Sequence, residues 1–170
     1  MHATLFLDLA ASLALAGFGH ALACLMQAVL HRWLGHTSAG GRLYHVHVGS
    51  HHSIYTQGHM AAPHYADWEV SLTPFFIIPV LVLCTALAWL LPLPLAACAA
   101  LGLVASCVAQ VYLHAQFHRT DAWLRGYRWF RRLRRLHAIH HRDGSKNFGL
   151  IDFAWDRIGG TFYDPGRSCR

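Results

Sequence analysis

Three stretches of this chain run for more than 20 residues without a charged side chain, at 9–30, 71–91 and 93–113. Asp8 precedes the first, and His20 and Gln27 are its main polar groups. At about 1.5 Å of rise per residue, a helix of that length covers about 30 Å, the thickness of bilayer hydrocarbon. The pattern therefore predicts three transmembrane helices. Pro92 and Pro94 make the link between the second and third a tight turn, and Pro74 and Pro79 are places where the second can kink. A cleaved signal peptide is disfavoured for the first run, which has no Lys or Arg ahead of it and outlasts the apolar core of such a segment.

A different periodicity follows the third run. On a helical wheel Trp123, Tyr127, Trp129, Phe130, Leu133 and Leu136 share one half, and Arg125, Arg128, Arg131, Arg132 and Arg135 share the other. Arg134 and Leu124 break the pattern, and Thr120 or Asp121 is placed to cap the helix. This predicts a basic amphipathic helix in the membrane interface. Extending the wheel puts His137, His140 and His141 on the aromatic half, aimed inward. Upstream, residues 37–41 form a Gly-rich bend, and His59 and His64 fall in a loop with Pro63. Asp67 and Glu69 mark the return to the membrane. If residues 47–52 are helical, His47 and His51 lie one turn apart with His52 beside them, although Gly49 weakens that helix. No repeat or second domain interrupts the pattern. The expected fold is all-α and integral to the membrane, one domain over 1–170. It has three transmembrane helices, a histidine-rich helical cap and the interfacial amphipathic helix.

Charge sharpens this picture. Apolar residues make up 55% and charged residues 13%, against about 25% charged in a soluble domain. All 14 Lys and Arg lie at or after Arg32, and none lies between Arg42 and Arg119. Cytoplasmic loops retain Lys and Arg, so the N-terminus and the Pro92 turn are expected outside, with 31–70 and 114–170 in the cytoplasm. That suits a bacterial inner membrane or an endoplasmic reticulum membrane. The net charge of +6 then points to anionic headgroups and not to nucleic acid. Cys24, Cys84, Cys98 and Cys107 lie inside apolar runs and Cys169 near the end, with no CxxC pair. They read as small hydrophobes, with no disulfide framework.

Histidine is the exception in this apolar chain, with 15 of 170 residues. Ten form four clusters: His31 and His36; His47, His51 and His52; His114 and His118; His137, His140 and His141. The charge argument did not use them, yet it puts all ten on one membrane face. His2 and His20 are isolated and read as structural. Neutral imidazole is the commonest nitrogen donor to transition metals. An i, i+4 pair such as His114 and His118 projects from one helix face and can hold one ion. Ten nitrogens exceed the needs of one ion and suit two, with about five ligands each.

The segments HRWLGH, LYHVHVGSHH, HAQFH and HAIHHRDGSKNFGLIDFAWDRIGGTF carry a resemblance over residues 30–162. The chain resembles the membrane fatty acid hydroxylase and sterol desaturase superfamily. The resemblance implies that the ten clustered histidines hold a di-iron centre. That centre activates O2 to hydroxylate, or less readily desaturate, a membrane lipid such as a fatty acyl chain or sterol. The superfamily's second box is usually H-x2-HH, whereas three residues separate His47 from His51 here, which leaves His45 as an alternative ligand to His47. The chain has no cysteine cluster, GxGxxG fingerprint or haem domain, so the electrons come from outside. A ferredoxin or cytochrome b5-type partner and its reductase are implied. The arginine face at 125–135 is a headgroup surface first and a dock for an acidic carrier second. Asp143, Asp152 and Asp156 can orient imidazoles or serve as solvated or capping groups, and Asn147 and Trp155 are expected to fold the tail over the metal site. Two other readings are a carotenoid ring hydroxylase of the same superfamily and a membrane metal-binding protein, transporter or sensor, without redox turnover. Transport is disfavoured because the second and third helices carry no His, Asp or Glu at mid-membrane.

Overall fold

In the structure, a computed structural model, residues 2–65 and 73–167 are described, with side chains at 9–65 and 76–166. The described residues are all-α; their one β feature is an isolated bridge between Ala62 and Arg119. The side chains of His2, Asp8 and Cys169 lie outside the described residues, as do Asp67, Glu69 and Ser71.

Helix α1 (His2–Leu30) runs without a break into a π-helical turn, His31–Gly35. A 3-10 turn (Ser38–Gly40) and α2 (Arg42–Val46) lead to a second π-helical turn, His47–His51, and the short α3 (His52–Ile54). Helix α4 (Thr73–Leu90) and α5 (Leu93–Phe117) are joined at Pro92, which is extended at φ −52° and ψ 139°. A 3-10 turn (Trp123–Gly126), α6 (Arg128–Arg142), α7 (Ala154–Ile158) and a last 3-10 turn (Pro165–Arg167) follow.

Among the described residues, two helical stretches are long and apolar enough to cross a bilayer, Leu9–Gly35 and Leu93–Phe117. The pattern of apolar positions predicted three. The described apolar part of α4, Phe76–Leu90, is shorter, because the upstream end of that run falls outside the described residues. Leu13, Ile78, Leu81, Val82, Trp89, Leu101, Val108 and Val111 all face outward, an apolar surface too extensive for water contact.

Helices α1 and α5 run in the same direction and pack closely. Ala16 meets Gly102, and one turn further on His20 Nδ1 lies 2.9 Å from Ser106 Oγ. A Cβ at Gly19 would land on the carbonyl oxygen of Ala99, and one at Gly102 on that of Ala16. Ala23, Leu87, Ala99 and Leu103 fill the core where α4 joins the pair. Small residues that let two backbones meet are how apolar helices associate where water supplies no driving force.

The amphipathic segment departs from its wheel. Asp121 pairs with Arg119 at 2.7 Å and caps nothing; the helix starts at Arg128, with Tyr127 extended before it. That break takes Trp123 and Tyr127 off the wheel, and both are exposed. Within the helix Phe130 and Leu136 are buried with His137 and His140, while Trp129 is exposed beside them. On the basic side, Arg135 Nη2 lies 2.9 Å and Arg132 Nε 3.8 Å from the buried carboxylate of Asp164, so two of the arginines bind the tail.

Candidate metal centre

The local helix geometry decides which histidines meet. In an α-helix, residues five apart point about 140° away from each other. A π-helical turn, with i→i+5 hydrogen bonds, brings them back toward one face. One π-helical turn leads from His31 to His36 and the other from His47 to His52. The pairs on regular helix, His114 with His118 and His137 with His141, are spaced i, i+4. Four matched pairs result, and His140 and His51 complete two groups of five. His31, His36, His47, His52 and His140 form one; His51, His114, His118, His137 and His141 form the other. Within each group, one nitrogen from every ring lies within 4.8 Å of the others.

In the first group, His31 and His47 Nε2 are 2.8 Å apart, His36 and His140 Nε2 3.0 Å, and His52 and His47 Nε2 3.2 Å. In the second, His118 and His137 Nε2 are 2.9 Å apart, and His141 Nε2 is 3.1 Å from those of both His51 and His137. The α-helical wheel puts His47 and His51 on one ion. The π-helical turn sends them to different groups, with their rings stacked at 5.3 Å between centroids. His45 is exposed, beside the Tyr44 ring. His47→Ala is therefore expected to lose metal and His45→Ala to keep it. Metal content per protein for the two variants checks this, and the opposite pattern would reverse the choice.

Backbone carbonyls orient the rings. His31 Nδ1 donates to Phe148 O at 2.7 Å and His140 Nδ1 to Lys146 O at 2.7 Å. His118 Nδ1 donates to Met60 O at 2.9 Å and His141 Nδ1 to Tyr55 O at 2.7 Å. A carbonyl only accepts, so each Nδ1 carries the proton and each Nε2 a lone pair. Those lone pairs converge inside each group. Without a cation they repel one another, and with one they become its ligands, so the residues fit a metal ion. Burial, together with the neighbouring His47, pushes the His36 imidazole down to about 3. Burial first, and then the charge of neighbouring imidazoles, holds His137, His140 and His141 well below their ordinary value. These four imidazoles are thus held neutral, as metal ligation requires.

None of the three aspartates hydrogen-bonds a ring of either group. Asp143 accepts from Ser145 Oγ at 2.6 Å. Asp152 accepts from Ala154 N at 2.7 Å and lies 3.8 Å from the Nε2 of His20, outside both groups. Asp156, buried, accepts from Phe148 N at 2.7 Å, Gly149 N at 2.8 Å and Thr161 Oγ1 at 2.7 Å. It acts on the site through Phe148, whose carbonyl holds His31 and also accepts from Gln27 Nε2 at 2.9 Å. The Phe148 ring lies 5.6–5.7 Å from those of His31, His36 and His140. Asn147, at φ 53° and fully buried, donates to Leu136 O and Tyr163 O and so ties α6 to the tail. Trp155 Nε1 donates to Ala21 O at 3.1 Å and ties the tail to α1. The sequence marks Gln27 only as a polar group of the first apolar run; its role comes from standing one turn before His31 on the same helix face. The four carbonyls left no signal there, since every residue has one.

Asp156→Ala leaves two buried N–H groups unpaired and the Thr161 hydroxyl with only the carbonyl of residue 156 at 3.4 Å, with an expected loss of about 3 kcal/mol or more in stability. Metal retention by the His31 group is expected to fall about tenfold or more. Thermal unfolding and metal titration of the variant measure both.

A family model for fatty acid hydroxylases matches residues 17–161, a span that contains all four histidine clusters. Among curated proteins no match was found, and none among solved structures. On the match over most of its length, the chain belongs to the fatty acid hydroxylase family, within the sterol desaturase and fatty acid hydroxylase superfamily.

Proposed function

We propose that this protein is an O2-dependent di-iron oxidoreductase that hydroxylates an unactivated C–H bond of a membrane lipid, a fatty acyl chain or a sterol. One observation carries the reading: two adjacent groups of five imidazoles, each with its nitrogens converging. His31, His36, His47, His52 and His140 would hold one ion, and His51, His114, His118, His137 and His141 the other. Bound there, the ions supply the O2 activation that cleavage of an inert C–H bond demands. The chain's own part is to keep the imidazoles neutral, to fix their direction through the four carbonyls, and to exclude water. His52 and His141 bridge the two groups, their rings stacked at 4.1 Å.

Electrons come from a separate ferredoxin or cytochrome b5-type protein and its reductase. In this reading α4 with its upstream end is a third span, the N-terminus and the Pro92 turn lie outside, and the histidine groups face the cytoplasm. A reporter fused after Arg170 is expected to behave as cytoplasmic; periplasmic or lumenal behaviour would invert the arrangement.

The function is tested by metal analysis together with O2 uptake in the presence of a reductant, with and without membrane lipid. The expected result is about two irons per chain and lipid-stimulated O2 uptake that yields a hydroxylated product. Tight metal without such uptake would make the protein a membrane metal-binding protein and overturn the reading. Lipid profiles of cells with and without the protein then identify the substrate.

A further inference from the structure

Apart from the histidine groups, an open cleft of about 190 Å³ lies between the last turns of α1 and the α7 segment. Leu25, Ala28 and Val29 line it on the α1 side, and Trp155 and Ile158 on the other. Arg32 stands at its end. The guanidinium carbon is 5.2 Å from the centre of the Trp33 ring and 5.8 Å from that of Phe148. Those two rings hold Arg32 half-buried, and among the described residues no carboxylate lies within ion-pair distance of it. The one acid in the cleft wall, Asp156, is buried and already accepts from two backbone N–H groups and Thr161. The cleft thus offers one positive charge and no available negative one.

We infer that this cleft binds an anionic phospholipid, with its phosphate on Arg32 and an acyl chain along Leu25, Ala28 and Val29. The location favours an amphiphile over a free anion. The cleft sits at the end of a helix long and apolar enough to cross a bilayer, and Val29, Trp33 and Ile158 expose 45%, 56% and 76% of their surface at its rim. Guanidinium and phosphate form charge-assisted, paired hydrogen bonds. The missing acceptor for a choline or ammonium head disfavours a zwitterionic lipid. Because Phe148 is also the residue whose carbonyl holds His31, the lipid would brace the wall of the first histidine group from outside.

The metal-loaded protein is placed in nanodiscs of equal parts phosphatidylcholine and phosphatidylglycerol and re-extracted in mild detergent. Retained lipid is then identified by mass spectrometry. Phosphatidylglycerol is expected to be enriched about tenfold over phosphatidylcholine, the weight of one charge-assisted contact. Arg32→Gln removes the charge, and Ala28→Phe fills the cleft while keeping the charge. Both are expected to abolish the enrichment while metal content stays at the wild-type level. If Arg32→Gln does not fold, Ala28→Phe alone carries the comparison. Retention in the supplied ratio by the wild type, or wild-type enrichment in the folded variants, would overturn the inference. Release of the lipid by inorganic phosphate would overturn it too, by assigning the site to a free anion.

Discussion

Replacing either His140 or His118 with alanine is expected to abolish turnover, and to do so by removing metal from different groups. His140 is fully buried, with Nε2 3.0 Å from that of His36 and Nδ1 donating to Lys146 O. It is the α6 donor to a group otherwise built from the two π-helical turns and the residues that close them. His118 is also fully buried, 2.9 Å from His137 Nε2, and joins α5 to α6 in the other group. Alanine at either position removes a donor and opens a cavity in a desolvated cluster. Metal content should fall toward one ion per chain, and product formation by about a thousandfold or more, because a two-metal reaction needs both ions. The control is His20→Ala. That ring lies outside both groups and bonds Ser106, so its loss should cost about 1 kcal/mol of stability and leave metal in place. Metal analysis and product assays on the purified variants separate these outcomes, and retained product formation by His140→Ala would remove His140 from the ligand set.

Leucine at Gly102 is expected to prevent the stem from assembling. Even the first carbon of the new side chain would coincide with the Ala16 carbonyl, and that neighbour is backbone, which no rotamer change can move aside. Gly19→Leu meets the Ala99 carbonyl from the other helix in the same way. Overpacking a core by a few atoms costs about 1–3 kcal/mol. Here α1 and α5 must separate along their length, so either variant should lose the folded state. The position of the histidine boxes depends on this contact, because His31 follows α1 and His114 and His118 close α5. Gly17→Leu, where added bulk meets nothing, is the matched control. Size-exclusion profiles and thermal melts in detergent should show Gly17→Leu close to wild type and the other two aggregated.

The parts of this architecture that rest on residue type were legible in the sequence. An absence of charge marks α1 and α5, and paired prolines mark the turn at Pro92. The ten histidines that the structure gathers are the ten that cluster in the chain. Their partition was not legible, because an α-helical wheel cannot register a π-helical turn and so places His51 with His47. The directions of Trp123 and Tyr127 were lost for a related reason. Tyr127 is extended, and the wheel restarts there. Of the two roles open to the aspartates, Asp143 and Asp152 take the capping one, on Ser145 and Ala154 N; Asp156 reaches His31 only through the peptide groups of Phe148, and nothing in residue identity encodes that route.

The two π-helical turns bear on the unusual length of the second box. An extra residue in a helix normally rotates everything beyond it by about 100°. Between His47 and His52 the wider turn absorbs that rotation within its own span, and both rings still face the first group. The H-x2-HH spacing on an ordinary α-helix pairs the first and last histidine of the box across i, i+4; the longer box here pairs them across i, i+5. The backbone works as a vernier: a box that looks out of register by counting is in register in space.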